Sequence, residues 1–175
     1  NVTAKKVKNQ QIYVMVIGES TSRKHLGIYG YPRETTPNFQ RRKDDLLIYP
    51  DILSTSATTI QSLKKALTLN NFKNPKQEST LIQLMNQAGF ETHWISNQKP
   101  VGIYDSFVTQ MAKASDYYTF KNTTIYSSVT PFDRVLLPHY ETALKSDADK
   151  VFIAVHLLGT HAKYKYRYPQ QFDHF

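Results

Sequence analysis

Gln11-Ile12-Tyr13-Val14-Met15-Val16-Ile17, followed by Gly18-Glu19-Ser20-Thr21-Ser22, is the stretch on which the fold turns. The first seven residues form a nearly continuous apolar run rich in β-branched side chains. Period-two alternation is absent from it, which is the pattern of a strand buried on both faces in a parallel sheet. The run gives way at Gly18 to a carboxylate and three hydroxyls. Open α/β sheets bind ligands at the carboxyl ends of their strands, so Glu19 is expected on the edge where a site would lie.

The chain around this strand alternates in period. Apolar residues Ile60, Leu63, Ala66 and Leu67 have helical spacing, directly after the hydroxyl-rich loop Ser54-Thr55-Ser56-Ala57-Thr58-Thr59. Either Thr58 or Thr59 suits the N-cap of that helix. A second helix is expected through Leu81, Ile82, Leu84, Met85 and Ala88, with Gly89 as its stop. A strand over 90–95 then runs into Ser96-Asn97-Gln98, and a short helix over 107–114 follows. Thr130-Pro131 opens another helix that extends to Leu144, with Pro138 expected to kink it. The last strand, 150–155, runs into His156-Leu157-Leu158-Gly159-Thr160-His161. Leu46-Leu47-Ile48-Tyr49-Pro50 is a shorter apolar piece with strand character. Strands and helices in this order predict an α/β sheet covered by helices, with Glu19, Asn97-Gln98 and His156 with His161 converging on one edge.

Composition sets the limits. The 175 residues fit one domain with a substantial core. A net charge of +8 suits an anionic membrane surface, a phosphorylated substrate or nucleic acid. Cysteine is absent, so disulfides and thiolate ligands are excluded and any metal would need oxygen and nitrogen ligands. No apolar run approaches the roughly 20 residues of a membrane span. A signal peptide is not apparent. Both ends are expected to be cuts within a longer protein.

Glu19 offers a hard oxygen to a metal, or a carboxylate to the next helix N-terminus. Thr59, where a hydroxyl loop meets a helix, is an N-cap or a hydroxyl placed where backbone N–H groups favour phosphate. Such a hydroxyl attacks phosphorus once its pKa is lowered. His156 and His161 flank a Gly-Thr turn and could bind phosphate or zinc, shuttle protons or stay structural. His25, His93 and His139 are assigned no role.

The stretch Val16-Ile17-Gly18-Glu19-Ser20-Thr21-Ser22-Arg23, continued by Gly30-Tyr31-Pro32-Arg33-Glu34-Thr35-Thr36-Pro37, resembles the opening motif of the bacterial phosphoethanolamine transferases, of the lipid A and lipopolysaccharide-core type. These belong to the alkaline phosphatase and sulfatase superfamily. The segment from Tyr49-Pro50-Asp51 to Thr58-Thr59 is similar to the family's nucleophile loop. His156 to His161, followed by Tyr166-Arg167-Tyr168-Pro169, is similar to its late strand and substrate-binding loop. The resemblance implies an alkaline phosphatase/sulfatase-like α/β sheet with helices on both faces. Residues 1–175 would be the N-terminal portion of a periplasmic catalytic domain, without its C-terminal part or the membrane-spanning region. It implies Glu19 as a ligand of the catalytic zinc and Thr59 as both ligand and nucleophile. Asn97 and Gln98 fall in a loop that contacts the donor, and His161 and His156 lie near the bound phosphate group. The implied reaction takes phosphoethanolamine from phosphatidylethanolamine onto Thr59. The group then passes to lipid A, core sugar or another periplasmic glycan, at the surface of the bacterial inner membrane and without nucleic acid.

Three departures matter. Relatives carry disulfide-forming cysteines near the nucleophile loop, and this chain has none. The remaining zinc ligands, an aspartate followed by a histidine, are expected downstream; Asp173-His174 has that form but follows Tyr166-Arg167-Tyr168-Pro169 too closely. The chain by itself is therefore expected to be an inactive part of the enzyme. A sulfatase activity would need a cysteine or serine convertible to formylglycine, which Thr58-Thr59 is not. A phosphoglycerol transferase of the same superfamily, using manganese, is the enzymatic alternative. A non-catalytic lipid- or glycan-binding domain is the other.

Overall fold

The computed structural model describes residues 10–70, 73, 79–100, 106–123 and 130–174. Within them, four strands form one parallel sheet: β1 (Gln11–Ile17), β2 (Glu91–Ser96), β3 (Tyr117–Phe120) and β4 (Lys150–His156), in the order β1-β4-β2-β3. The helices are α1 (Pro37–Arg41), α2 (Thr59–Ala66), α3 (Leu81–Gln87), α4 (Phe107–Lys113) and α5 (Leu137–Leu144). Parallel strands need crossovers, and α4 with its flanking turns supplies the one between β2 and β3.

The alternation of side chains along β4 divides the core. Phe152 and Ala154 join Trp94, Ile82, Val108, Met111, Leu63 and Leu67, so α2, α3 and α4 cover that face. Val151, Ile153 and Val155 point the other way and pack with Ile95, Leu136 and Ala143 beneath α5. Helices thus lie on both faces, as expected. Each fully buried Ile, Val or Leu among these contributes about 1.5–3 kcal/mol relative to exposure. Local sequence signals set the helix ends. Thr80 and Gln83 close a reciprocal capping box at the start of α3, and Gly89 takes φ +80° just past its end.

Several expectations need correction. β1 is not buried on both faces: Tyr13, Val14 and Val16 are 54%, 41% and 62% exposed. Its position explains this. Among the described residues β1 pairs with β4 alone, while α5 packs on β4 and β2. Residues 46–50 join no sheet, and Leu47 is 87% exposed. The helix expected from Thr130 begins later, as a 3-10 turn over Asp133–Leu136 that runs into α5. Pro138 does not kink it, because it sits in the first turn of α5, where a missing N–H breaks no bond. β3, four residues long, has no counterpart among the expected strands.

Candidate active site

The parallel register brings the strand ends into line. Ile17 and Ser96 both pair with His156, and Ser96 also pairs with Phe120. Whatever follows these residues lies along one edge. There, a cavity of about 750 Å³ is lined by Glu19, Thr59, Gln98, Lys99, His156 and His161, among others. Its volume is in the range of small-molecule sites. A smaller hollow of about 430 Å³, beside Lys64, Gln83 and Phe107, brings together no acid, base and nucleophile.

Glu19 and Thr59 meet in this cavity. The Thr59 hydroxyl donates to Glu19 Oε2 at 2.7 Å, across forty residues of sequence. Ser20 donates to the other carboxylate oxygen, Oε1, at 2.9 Å. Ser20 holds φ +51°, an αL conformation that costs a non-glycine residue about 1 kcal/mol or more. That turn lifts the chain off the end of β1 directly after Glu19. Thr59 is the first residue of α2, and Thr58 is its N-cap by backbone geometry, although the Thr58 side chain makes no capping bond. The first-turn N–H groups of a helix lack intrahelical partners, so this end of α2 favours an anion at Thr59.

The loop after β4 closes the other side. The Leu157 N–H donates to Ile17 O at 2.9 Å. The Thr160 N–H and hydroxyl both donate to Glu19 O, at 3.1 and 3.0 Å, and the hydroxyl also reaches Ser20 O. Gly159 lies so close that a Cβ there would stand 2.9 Å from Glu19 O, and its φ of +54° also favours glycine. His161 follows at the cavity wall.

His156 lies at the floor, 1% exposed, with its ring edge-on to Trp94 at 5.8 Å. Its Nδ1 is 3.4 Å from the Ser96 hydroxyl, and Nε2 meets no hydrogen-bond partner among the described residues. Burial lowers its pKa to about 4, against the pull of the Glu19 and Asp133 carboxylates. The imidazole is therefore neutral at pH 7.

Of the expected site residues, Glu19, Thr59, Gln98, His156 and His161 line the cavity, and Asn97 does not. Asn97 is fully buried, donating to Pro131 O and Asp133 Oδ1. The Gln98 amide donates to Leu157 O at 2.8 Å. Asp173 accepts a hydrogen bond from the Tyr168 hydroxyl, and neither Asp173 nor His174 reaches this cavity. Sequence reasoning missed Lys99, Phe120, Asn122 and Arg167, all at the cavity wall. Arg167 was within a motif already noted; its guanidinium bonds His161 O, Ala162 O and the Thr130 hydroxyl. Phe120 and Asn122 depend on β3, which is too short to announce itself.

The donor chemistry fits a metal in part. Glu19 and Thr59 bring two oxygens together at 2.7 Å. Zinc takes four ligands, and among the described residues no three of His, Cys, Asp or Glu gather. The pair is suited to part of a zinc shell.

Known proteins match the chain along nearly all of its length. The sulfatase family model matches residues 11–175. The chain is 38% identical over 163 residues to the phosphoethanolamine transferase EptC of Escherichia coli strain K12, covering 90% of this chain and 28% of that protein. It is 39% identical over 163 residues to the phosphoethanolamine transferase CptA of Salmonella typhimurium, with the same coverage. The solved C-terminal periplasmic domain of EcEptC from Escherichia coli, in complex with zinc, superposes with a TM-score of 0.88 at 35% identity. That match covers 97% of this chain and 49% of the solved chain. The chain thus spans under a third of those two relatives and about half of that solved domain. The sheet, with helices on both faces, is an alkaline phosphatase-like fold, and the chain belongs to the sulfatase family.

Proposed function

We propose that this chain is part of a periplasmic, zinc-dependent phosphoethanolamine transferase anchored in the bacterial inner membrane, with Thr59 as nucleophile and Glu19 and Thr59 as zinc ligands. The observation that carries the reading is the 2.7 Å contact between the Thr59 hydroxyl and Glu19, at the start of α2 and inside the cavity of about 750 Å³. Likeness to named phosphoethanolamine transferases supplies the group transferred. Zinc is chosen over manganese because a similar solved domain holds zinc.

In this reading the donor is phosphatidylethanolamine. The Thr59 oxygen gives up its proton and attacks phosphorus, the bond to the diacylglycerol oxygen breaks as that oxygen takes up a proton, and phosphoethanolamine remains on Thr59. A hydroxyl or phosphate of lipid A, core sugar or another glycan then takes the group and frees Thr59. When bound, zinc would lower the hydroxyl's pKa and neutralise charge at phosphorus. The start of α2 offers unpaired N–H groups to the phosphoryl oxygens. His161 faces the same space and can donate a hydrogen bond to those oxygens, while neutral His156 forms the buried floor beneath them. Gln98 and Asn97 act at one remove, by holding the loops that shape the donor pocket. A net charge of +8 suits work beside anionic lipid, with about 1 kcal/mol from each cation near the surface.

The test uses the whole protein with a labelled phosphatidylethanolamine donor and no acceptor. Phosphoethanolamine should accumulate on the peptide that contains Thr59. Glu19→Ala should lose both the adduct and bound zinc. An active enzyme whose Thr59 peptide stays unmodified, or a Glu19→Ala variant with unchanged zinc content, would overturn the assignment.

A further inference from the structure

Asp133 stands at the start of the 3-10 turn that leads into α5, on the far side of the 157–161 loop from Glu19. Its carboxylate is fully engaged. Oδ1 accepts from Asn97 Nδ2 at 2.9 Å and from the Leu158 N–H at 2.8 Å. Oδ2 accepts from the Gly159 N–H at 2.9 Å. One side chain therefore ties the residue after β2 to the loop after β4. That loop in turn bonds Glu19 O and Ser20 O through Thr160. Gly159 leaves no room between loop and Glu19 backbone even for a methyl group. The loop is wedged between a carboxylate on one side and the Glu19 main chain on the other.

We propose that Asp133 is a positioning residue that sets the Glu19–Thr59 pair through the 157–161 loop. This rests on the reading of that pair as part of a zinc site. A helix-start carboxylate needs only one free N–H to be useful. Asp133 instead spends both oxygens on groups outside its own helix. Charge-assisted bonds of this kind are about twice as strong as neutral ones and fix the loop's height above the sheet. A shift of the loop would move the Glu19 backbone with it, because nothing soft separates them. Outer-shell groups that orient ligands typically change metal affinity or activity 10–100-fold when removed.

The experiment compares the whole protein with Asp133→Asn, Thr160→Val and Glu19→Ala. Asparagine keeps one acceptor but presents an NH2 group to one of the loop N–H groups. Valine keeps the shape of Thr160, removes its hydroxyl from Glu19 O and Ser20 O, and changes no charge. Zinc affinity is read by competition with a coloured chelator, melting temperature by circular dichroism, and kcat and KM with labelled phosphatidylethanolamine. Asp133→Asn and Thr160→Val should each weaken zinc roughly 10-fold or more and lower kcat similarly, with KM within about threefold. Weakening in the uncharged Thr160→Val variant separates positioning from a loss of negative field. Wild-type zinc affinity and kcat in a folded Asp133→Asn, even with a lower melting temperature, would reduce Asp133 to a structural tie and overturn the proposal. If Asp133→Asn does not fold, Thr160→Val decides alone, and wild-type zinc affinity there overturns it. Glu19→Ala separates the two readings: unchanged zinc binding in that variant defeats the site itself, and Asp133's role with it.

Discussion

β1 and β4 lie side by side in parallel register and carry similar apolar sequences, yet their surroundings are opposite. From Val151 to His156, β4 is buried without a break, flanked by β1 and β2 and covered on both faces. Among the described residues β1 has one neighbour, and its Val16 is 62% exposed. The comparison separates two properties that one hydrophobic run confuses. Apolar character records what a strand is suited to bury; position in the sheet decides what it does bury here. The two strands also divide the work. β4 carries the core, while the chain leaving β1 carries the carboxylate that meets the Thr59 hydroxyl.

The division is broken most sharply at the end of β1. In the whole protein, Thr59→Ala should lower transfer by a factor on the order of 10⁴ or more, about 5 kcal/mol of barrier. Its melting temperature should stay within a few degrees of wild type. A turnover assay with labelled donor, run beside a thermal melt, checks both halves. Residual transfer near the wild-type rate would remove Thr59 from the chemistry.

The next effect belongs to β4. Ile153→Ala empties a fully buried position under α5 and should cost about 2–5 kcal/mol in urea unfolding. A cost under about 1 kcal/mol would show that the site collapses freely and that the core lies elsewhere.

The end of β4 should make stability depend on pH. Folded His156 titrates at about 4, whereas an unfolded histidine titrates near 6.5. Between these values the unfolded chain binds the extra proton. Stability is therefore intact above about pH 6.5 and falls as pH drops toward 4, by roughly 3 kcal/mol in all. Urea unfolding of chelator-treated protein at pH 7 and pH 4.5 measures it. His156→Gln should flatten this part of the profile, and an equally steep loss in that variant would assign the effect to other groups.

The smallest effect returns to β1. Val16→Ala removes methyl groups already open to solvent and should change stability by less than about 1 kcal/mol. A cost near that of Ile153→Ala would mean that Val16 is covered in the protein in solution.

The sequence displayed the fold where periodicity was strong. Alternate residues of β4 serve different faces, the helical spacing of α2 to α4 is plain, and Gly89 marks its stop. Position alone left Glu19 open between metal ligand and helix cap, and the long matching motif from Val16 to Pro37 singled it out. β3 was hidden, since Tyr117–Phe120 is four residues with exposed tyrosines and no alternation. The edge position of β1 was hidden too, because strand order is a long-range property that no local pattern encodes. Nothing in the sequence around Asp133 singles it out. Only the folded chain brings Asn97, Leu158 and Gly159 to its oxygens. Arg167 lay inside a noted motif, but its hold on the His161 and Ala162 carbonyls comes from a loop conformation that spacing cannot give.

The edge-on contact between Trp94 and His156 makes the chain its own optical probe. Trp94 is the one tryptophan in the sequence and is completely buried. All indole emission from these residues therefore arises beneath the floor of the candidate site. A neutral imidazole beside the ring is a weak quencher and a protonated one a strong quencher, so intensity follows the charge on His156. Within these residues, acidification can be followed there without a dye.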